Sequence, residues 1–204
     1  MDNIYQMYPN VNQNNGYLSL YVGPMYSGKT SKLLTLEKQY NVCNTNVCVI
    51  NYIEDKRYTD ENLLSSHDKK TTPCYLLREL NELCDIVNGE VNDLFKNTKV
   101  FLINEGQFFK DIVEWVKFAI TPPHNKIIHI SGLDGDFLGN MFGNWLDLIP
   151  YCDHIEKLKA ICVNCKEKYA IFTHRCVDNK EQILIGSDCY IPLCRTCYYI
   201  KSIK

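Results

Sequence analysis

The sequence predicts an α/β protein: a mostly parallel sheet covered by helices, followed by a small C-terminal lobe held together by cysteines. Three observations predict it. Short β-rich runs alternate with longer amphipathic stretches as far as residue 155. A glycine-rich turn joins the first run to the first helical stretch, and beyond residue 155 six of the eleven cysteines crowd into the remaining chain. Strands alternating with helices place successive strands parallel, because each connection has to cross back over the sheet.

Taken in order, residues 1–15 are rich in Asn and Gln and without period, the pattern of a flexible leader. Four runs then read as buried strands: Tyr17 to Val22, Val47 to Tyr52, Val100 to Ile103 and Lys126 to Ile130. Ser31 to Tyr40, Leu76 to Val87 and Asp111 to Ala119 read as helices between them. The expected division is a leader over 1–15, an α/β domain over 16–155 and a metal-binding ribbon and lid over 156–204. Charge follows it: residues 1–155 hold 13 basic and 19 acidic side chains, net -6, and residues 156–204 hold 9 and 5, net +4.

Composition excludes several classes. A net charge of -2 over 204 residues is not that of a strongly basic nucleic-acid packer, and 46% hydrophobic with 23% charged residues is ordinary for a globular chain. Apolar runs stop at four residues, too short for a membrane span or a signal-peptide core, so the expectation is a cytoplasmic protein with no membrane and no nucleic-acid partner. An odd number of cysteines without an export signal favours thiols and a metal site over a disulfide framework.

Gly23-Pro24-Met25-Tyr26-Ser27-Gly28-Lys29-Thr30 fits G-x-x-x-x-G-K-[ST] and lies between a strand and a helix, the context its mechanism needs. Such a turn aims successive backbone N–H groups and a helix N-terminus at the phosphates of ATP. Lys29 reaches the γ-phosphate and the Thr30 hydroxyl binds Mg²⁺. The fold class is therefore a P-loop NTPase-like sheet with a zinc-ribbon lobe.

Ligands of parallel sheets collect where the strands end. Asn104-Glu105 follows the third strand, the place where many phosphate-loop enzymes put a metal-binding carboxylate; here the first residue is neutral, which leaves Glu105 as the best general base. Leu133-Asp134-Gly135-Asp136-Phe137 ends the fourth strand in the same way. Arg57 fits a charge clamp on the transferring phosphoryl group, although a solvated charge run is the commoner explanation of such a stretch. His67, His124, His129, His154 and His174 lack metal-ligand spacing.

Cys162-x₂-Cys165 and Cys194-x₂-Cys197 make two knuckles that can close a tetrahedral structural zinc site. The gap between them holds two β-rich stretches, Tyr169 to Val177 and Gln182 to Gly186, expected to pair as a hairpin turning at Asp178-Asn179-Lys180. Cys43, Cys48, Cys74, Cys84, Cys152, Cys176 and Cys189 read as small core or surface residues.

The phosphate loop, the Asn-Glu-Gly-Gln-Phe-Phe block, the Gly-Leu-Asp-Gly-Asp-Phe block and the four-cysteine ribbon resemble, in order and spacing, the type II thymidine kinases. The resemblance implies transfer of the ATP γ-phosphoryl group to the 5′-hydroxyl of thymidine, and of deoxyuridine, in nucleotide salvage, with Mg²⁺ and a structural Zn²⁺. By the same resemblance Glu105 matches the catalytic base, while Lys29, Thr30, Arg57 and Asp55 match phosphate and magnesium contacts. Met25, Phe108, Leu133, Phe137, Phe142, Thr173 and Tyr190 match the thymine pocket, and Leu184, Ile185, Gly186, Ser187, Asp188 and Tyr190 its closing loop. A homotetramer and inhibition by thymidine triphosphate are implied too. The family pattern has Asp where this chain has Asn104. A nucleic-acid-stimulated ATPase with a zinc ribbon is the competing class, resting on Tyr198, Tyr199, Lys201 and Lys204; a GTP switch lacks its Asn-Lys-x-Asp guanine reader.

Overall fold

The computed structural model describes residues 15–55, 62–66, 69–179, 181–184, 186 and 189–202. The expected leader, except its last residue, and Arg57 lie outside the described residues.

Strand β1 (Tyr17–Val22) runs into helix α1 (Lys29–Val42), which leads to β2 (Val47–Tyr52). An antiparallel pair, β3 (Leu63–Ser65) and β4 (Thr71–Pro73), precedes β5 (Tyr75–Leu77). A second short pair, β6 (Cys84–Asp85) and β7 (Glu90–Val91), precedes α2 (Asp93–Asn97). Then come β8 (Val100–Ile103), α3 (Ile112–Ile120), β9 (Ile127–Gly132) and β10 (His154–Lys157). The chain closes with β11 (Ala160–Ile161), β12 (Tyr169–Ala170), β13 (Phe172–Arg175), β14 (Tyr190–Leu193) and α4 (Arg195–Ser202).

Six strands form one sheet in the order β10-β1-β9-β8-β2-β5, and every neighbouring pair is parallel. Helix α1 covers one face: Leu33, Leu36 and Tyr40 pack with Tyr21, Val49, Val100, Leu102 and Ile127. Helix α3 covers the other, where Ile112, Trp115, Val116 and Ala119 meet Leu20, Ile50, Phe101, Ile103, Ile128 and Ile130. Alternate residues of each strand thus serve opposite cores, which is why the strands read as unbroken apolar runs rather than alternating ones.

The first three predicted strands have the predicted bounds, and the fourth moves to Ile127–Gly132. Two expectations are corrected. Leu76 to Val87 is not a helix: it is β5 on the sheet edge, a 3₁₀ turn over Leu80–Leu83 and β6. Leu77, Leu80, Leu83 and Cys84 are all buried, and their spacing imitates a helical stripe. The backbone instead extends at Glu79 (φ -136°, ψ 144°), where Glu79 and Glu82 form a reciprocal cap on the turn. In the lobe, Gln182 to Gly186 is not the partner of the first hairpin strand. β13 pairs antiparallel with β14, in the register Phe172↔Leu193 and Arg175↔Tyr190. β14 contains Pro192, which argues against a strand from sequence, yet its position lets it stay on a two-stranded ribbon where no further ladder bond is required of it.

His129 is among the polar groups buried on the α1 side of the sheet. It is 1% exposed; its Nε2 faces the Tyr40 hydroxyl at 2.8 Å and its Nδ1 the Tyr21 hydroxyl at 3.3 Å. Burial, reinforced by His154 and Lys32, pushes its pKa down to about 3. A folded pKa below the unfolded value of about 6.5 means the unfolded chain takes up the proton first. The contribution is intact above that value and is lost as pH falls toward the folded pKa. Urea unfolding should therefore show a loss of about 1 kcal/mol between about pH 7 and about pH 5.5, a loss that His129→Gln removes. Equal pH slopes for the two proteins would contradict it.

Candidate active site

The sheet order sets β9 between β1 and β8, so the segments leaving these three strands meet at one end of the sheet. The phosphate loop leaves β1. Gly23 is required there by a close approach: a Cβ would stand 2.4 Å from the Leu158 carbonyl oxygen. Gly28 caps α1 in the left-handed conformation (φ 84°), which glycine adopts without strain. Within the loop, Lys29 Nζ donates to the Pro24 carbonyl at 2.7 Å and Ser27 Oγ to the same oxygen at 2.8 Å. The Met25 N–H donates to Thr173 Oγ1 at 3.0 Å, which ties the loop to the C-terminal lobe.

Asn104 and Glu105 leave β8. Asn104 is 2% exposed, and both ends of its amide are used. Its Oδ1 accepts from Ser131 Oγ at 2.9 Å and from Thr30 Oγ1 at 3.4 Å, while its Nδ2 donates to Asn51 Oδ1 at 3.0 Å. Asn51 Nδ2 in turn donates to Asp55 Oδ2 at 3.4 Å. A polar chain therefore links the phosphate loop to Asp55 through two amides. Glu105 is 7% exposed and left-handed (φ 56°, ψ 47°), a conformation that costs a non-glycine residue energy and clusters at working sites. Gln107 holds it in place: its Nε2 donates to Glu105 Oε2, and its Oε1 accepts from the Leu133 N–H at 2.9 Å.

A cleft opens beside Glu105. Met25, Phe108, Leu133, Phe137, Phe142, Thr173, Leu184, Gly186 and Tyr190, all singled out from sequence, line it together with Glu105 and Asp55. The wall is aromatic: Phe108 stacks on Tyr52 with centroids 5.1 Å apart and meets Phe142 edge-on at 5.5 Å. Ile185, Ser187 and Asp188, like Arg57, lie outside the described residues. Asp134 does not line this cleft and pairs with Lys157 at 2.6 Å. Asp136, in the acidic turn that the sequence singles out, also lines the cleft; Tyr52, Gln107 and Gln182 line it, and the buried Arg175 supports it, without having been singled out from sequence as site residues. Gln107 was within reach, since it lies in the same block as Glu105 and Phe108; Tyr52 and Arg175 had no local signal.

Cys162, Cys165, Cys194 and Cys197 converge, with their four sulfur atoms within 4.8 Å of one another. Tetrahedral Zn²⁺ with bonds of about 2.3 Å sets sulfurs about 3.8 Å apart, so the set fits zinc, and four thiolates leave no position for a substrate. Asn164 Nδ2 donates to Cys197 Sγ at 3.2 Å, the kind of supporting bond that steadies a thiolate. The knuckles close on the small core of Ala160, Ala170, Leu193 and Tyr198. Tyr198 stacks on Phe172 with centroids 4.4 Å apart and donates to the Phe137 carbonyl at 2.7 Å. It braces the cleft and is no exposed platform for a nucleic-acid base.

A phosphate loop after β1, a buried acid after β8, the next strand but one, and an aromatic cleft beside them together define a phosphate-loop kinase acting on a small molecule. Residues 16–198 match the family described as Thymidine kinase. The chain is 38% identical over 190 residues to the thymidine kinase of Yaba monkey tumor virus (strain VR587), an alignment covering 93% of this chain and 98% of the relative. It is 36% identical over 186 residues to that of Vaccinia virus (strain Western Reserve), covering 91% and 98%, and 35% identical over 187 residues to that of Sheeppox virus (strain KS-1), covering the same shares. This chain belongs to the thymidine kinase family.

The cysteine set yields a prediction. The folded protein should carry roughly one zinc per chain and give it up to a chelator only as the lobe unfolds. Metal analysis alongside thermal unfolding checks this, and zinc leaving with no change in the unfolding curve would contradict it.

Proposed function

We propose that the protein transfers the γ-phosphoryl group of ATP to the 5′-hydroxyl of thymidine, and of deoxyuridine, with Glu105 as general base. The observation that carries this is the buried, strained Glu105 between the phosphate loop and a cleft walled by aromatic side chains. In this reading the Glu105 carboxylate takes the 5′-hydroxyl proton as the oxygen attacks the γ-phosphorus in line, and the bond to the β-phosphate oxygen breaks to release ADP. Lys29 and the loop N–H groups hold the phosphates, and Arg57 clamps the transferring group. Phe108, Phe137 and Phe142 stack against or enclose the pyrimidine, and the segment from Leu184 to Tyr190 closes over it to exclude water. The family resemblance implies a pocket that excludes purines, while thymidine and deoxyuridine differ by one methyl and are weakly separated.

Thr30, the amide oxygen of Asn104 and the Asp55 carboxylate are hard oxygen donors gathered by one hydrogen-bonded chain, a donor set that suits Mg²⁺ directly or through water. When bound, Mg²⁺ would supply charge neutralisation on the ATP oxygens. The homotetramer, the inhibition by thymidine triphosphate and the cytoplasmic location belong to the same reading and rest on the family resemblance. Among the described residues no helix is long and apolar enough to cross a membrane.

Two outcomes test the reading. Glu105→Gln keeps size and hydrogen bonding but removes the base, so thymidine phosphorylation should drop by about 10²–10⁴-fold with little change in the KM for thymidine. A rate equal to that of the parent would end the assignment. Asn104→Asp adds a charge at the phosphate end of the sheet, so half-maximal activity should need less Mg²⁺; superimposable magnesium titrations would remove the role given to residue 104.

A further inference from the structure

Arg175, the last residue of β13, is 5% exposed, and its described acceptors are all neutral. Nε and Nη2 donate to the Tyr190 hydroxyl at 3.2 and 2.6 Å; Nη1 donates to the carbonyls of Asn179 at 2.9 Å and of Glu181; Nη2 also donates to the Gln182 carbonyl at 3.0 Å. Five contacts thus match the five N–H donors of a guanidinium. The Tyr190 hydroxyl passes its own proton on to the Leu184 carbonyl at 3.0 Å. Four carbonyls of one segment, 179–184, are therefore gathered by one side chain, three directly and one through the phenol. Gln182 to Leu184 lies in no strand, so this segment lacks a ladder of its own to satisfy its backbone.

The same guanidinium lies over the ring of Phe137, 3.8 Å from its centroid, where the negative ring face attracts it. Gln182 Nε2 adds a second tie to that turn, donating to Asp136 Oδ2 at 2.9 Å. Phe137, Gln182, Leu184 and Tyr190 all line the cleft, whereas Arg175 does not.

We propose that Arg175 is a positioning residue that locks the 179–184 segment and the Phe137 wall into one unit, and so sets affinity for the pyrimidine nucleoside without touching it. This rests on the reading of the cleft as the nucleoside site. Lysine cannot replace it: an ammonium has three donors and no plane, so it can neither span the carbonyls nor lie flat on the ring. Glutamine or methionine leaves several inward carbonyls without a donor, which loosens the segment rather than the sheet.

Steady-state kinetics and limited proteolysis of the whole protein test it, with Arg175→Met, Arg175→Lys and Tyr190→Phe. Arg175→Met should raise the KM for thymidine at least about tenfold, leave the KM for ATP within about twofold, and lose the protection from cleavage between residues 176 and 189 that saturating thymidine gives the parent. Arg175→Lys should recover only part of the thymidine KM, and Tyr190→Phe should add little in the Arg175→Met background, because both act in one network. If Arg175→Met fails to fold, the lysine and phenylalanine variants carry the same comparison. An unchanged thymidine KM in the 175 variants of a parent that phosphorylates thymidine overturns this inference alone, as does a rise in both KM values together. A parent that phosphorylates no pyrimidine nucleoside overturns the functional reading and the inference with it.

Discussion

The placement of β9 between β1 and β8 is the constraint on which the site depends. Parallel ladders fix the three strands within about 4.8 Å of their neighbours, so the turns that leave them cannot separate without breaking backbone bonds on both sides of β9. The phosphate loop, the Asn104-Glu105 pair and the 133–137 turn are held by that spacing. Both faces of the layer are sealed by helices, which makes the strand ends the one place where polar side chains of these strands can emerge. Ser131 shows the coupling: it sits at the end of β9 and donates to Asn104 on β8, whose amide meets Thr30 at the start of α1.

Within that frame a chain of hydrogen bonds arranges the polar groups. Asn104 both accepts and donates, which an ionised carboxylate cannot do. A carboxylate in its place would accept from Ser131 and Thr30 but would oppose the Asn51 carbonyl oxygen that now receives the amide N–H. The neutral residue thus fits the neighbours it has in this chain. Its cost is one negative charge fewer at the phosphate end, and Asp55 is the carboxylate reached by the same chain, since Asp134 is engaged by Lys157. Gln107 plays the matching part on the other side, holding Glu105 with one end of its amide and the backbone after β9 with the other.

The C-terminal lobe joins the site by contacts that sequence distance hides. Thr173 on β13 receives the Met25 N–H of the phosphate loop, and Tyr198 on α4 supports the backbone of Phe137. The cysteine knuckles and the cleft are thus joined through one lobe: Cys194 follows β14 and Cys197 lies on α4, β14 pairs with β13, and β13 carries both Thr173 and Arg175. A lobe of this size has only a small apolar core, of the kind that a structural metal commonly reinforces.

By itself the sequence determined what depends on near neighbours. A phosphate loop is eight consecutive residues in a strand-to-helix context, buried strands are β-rich runs of four to six residues, and a cysteine knuckle is four positions long. The resemblance, resting on such blocks, also singled out most of the cleft wall. Tertiary structure decided the rest. The leucine spacing of residues 77–83 suits a helix and a strand-plus-3₁₀ path equally, and pairing of β5 with the edge of β2 chose between them. β13 took β14 rather than the nearer Gln182 to Gly186, since that register seats the cysteine knuckles and leaves the nearer segment to be gathered by Arg175. An arginine inside a fifty-residue basic tail looks like any solvated charge; only folding removes its water and supplies four acceptor oxygens and a ring, and that exchange of solvent for fixed partners is not written in local sequence.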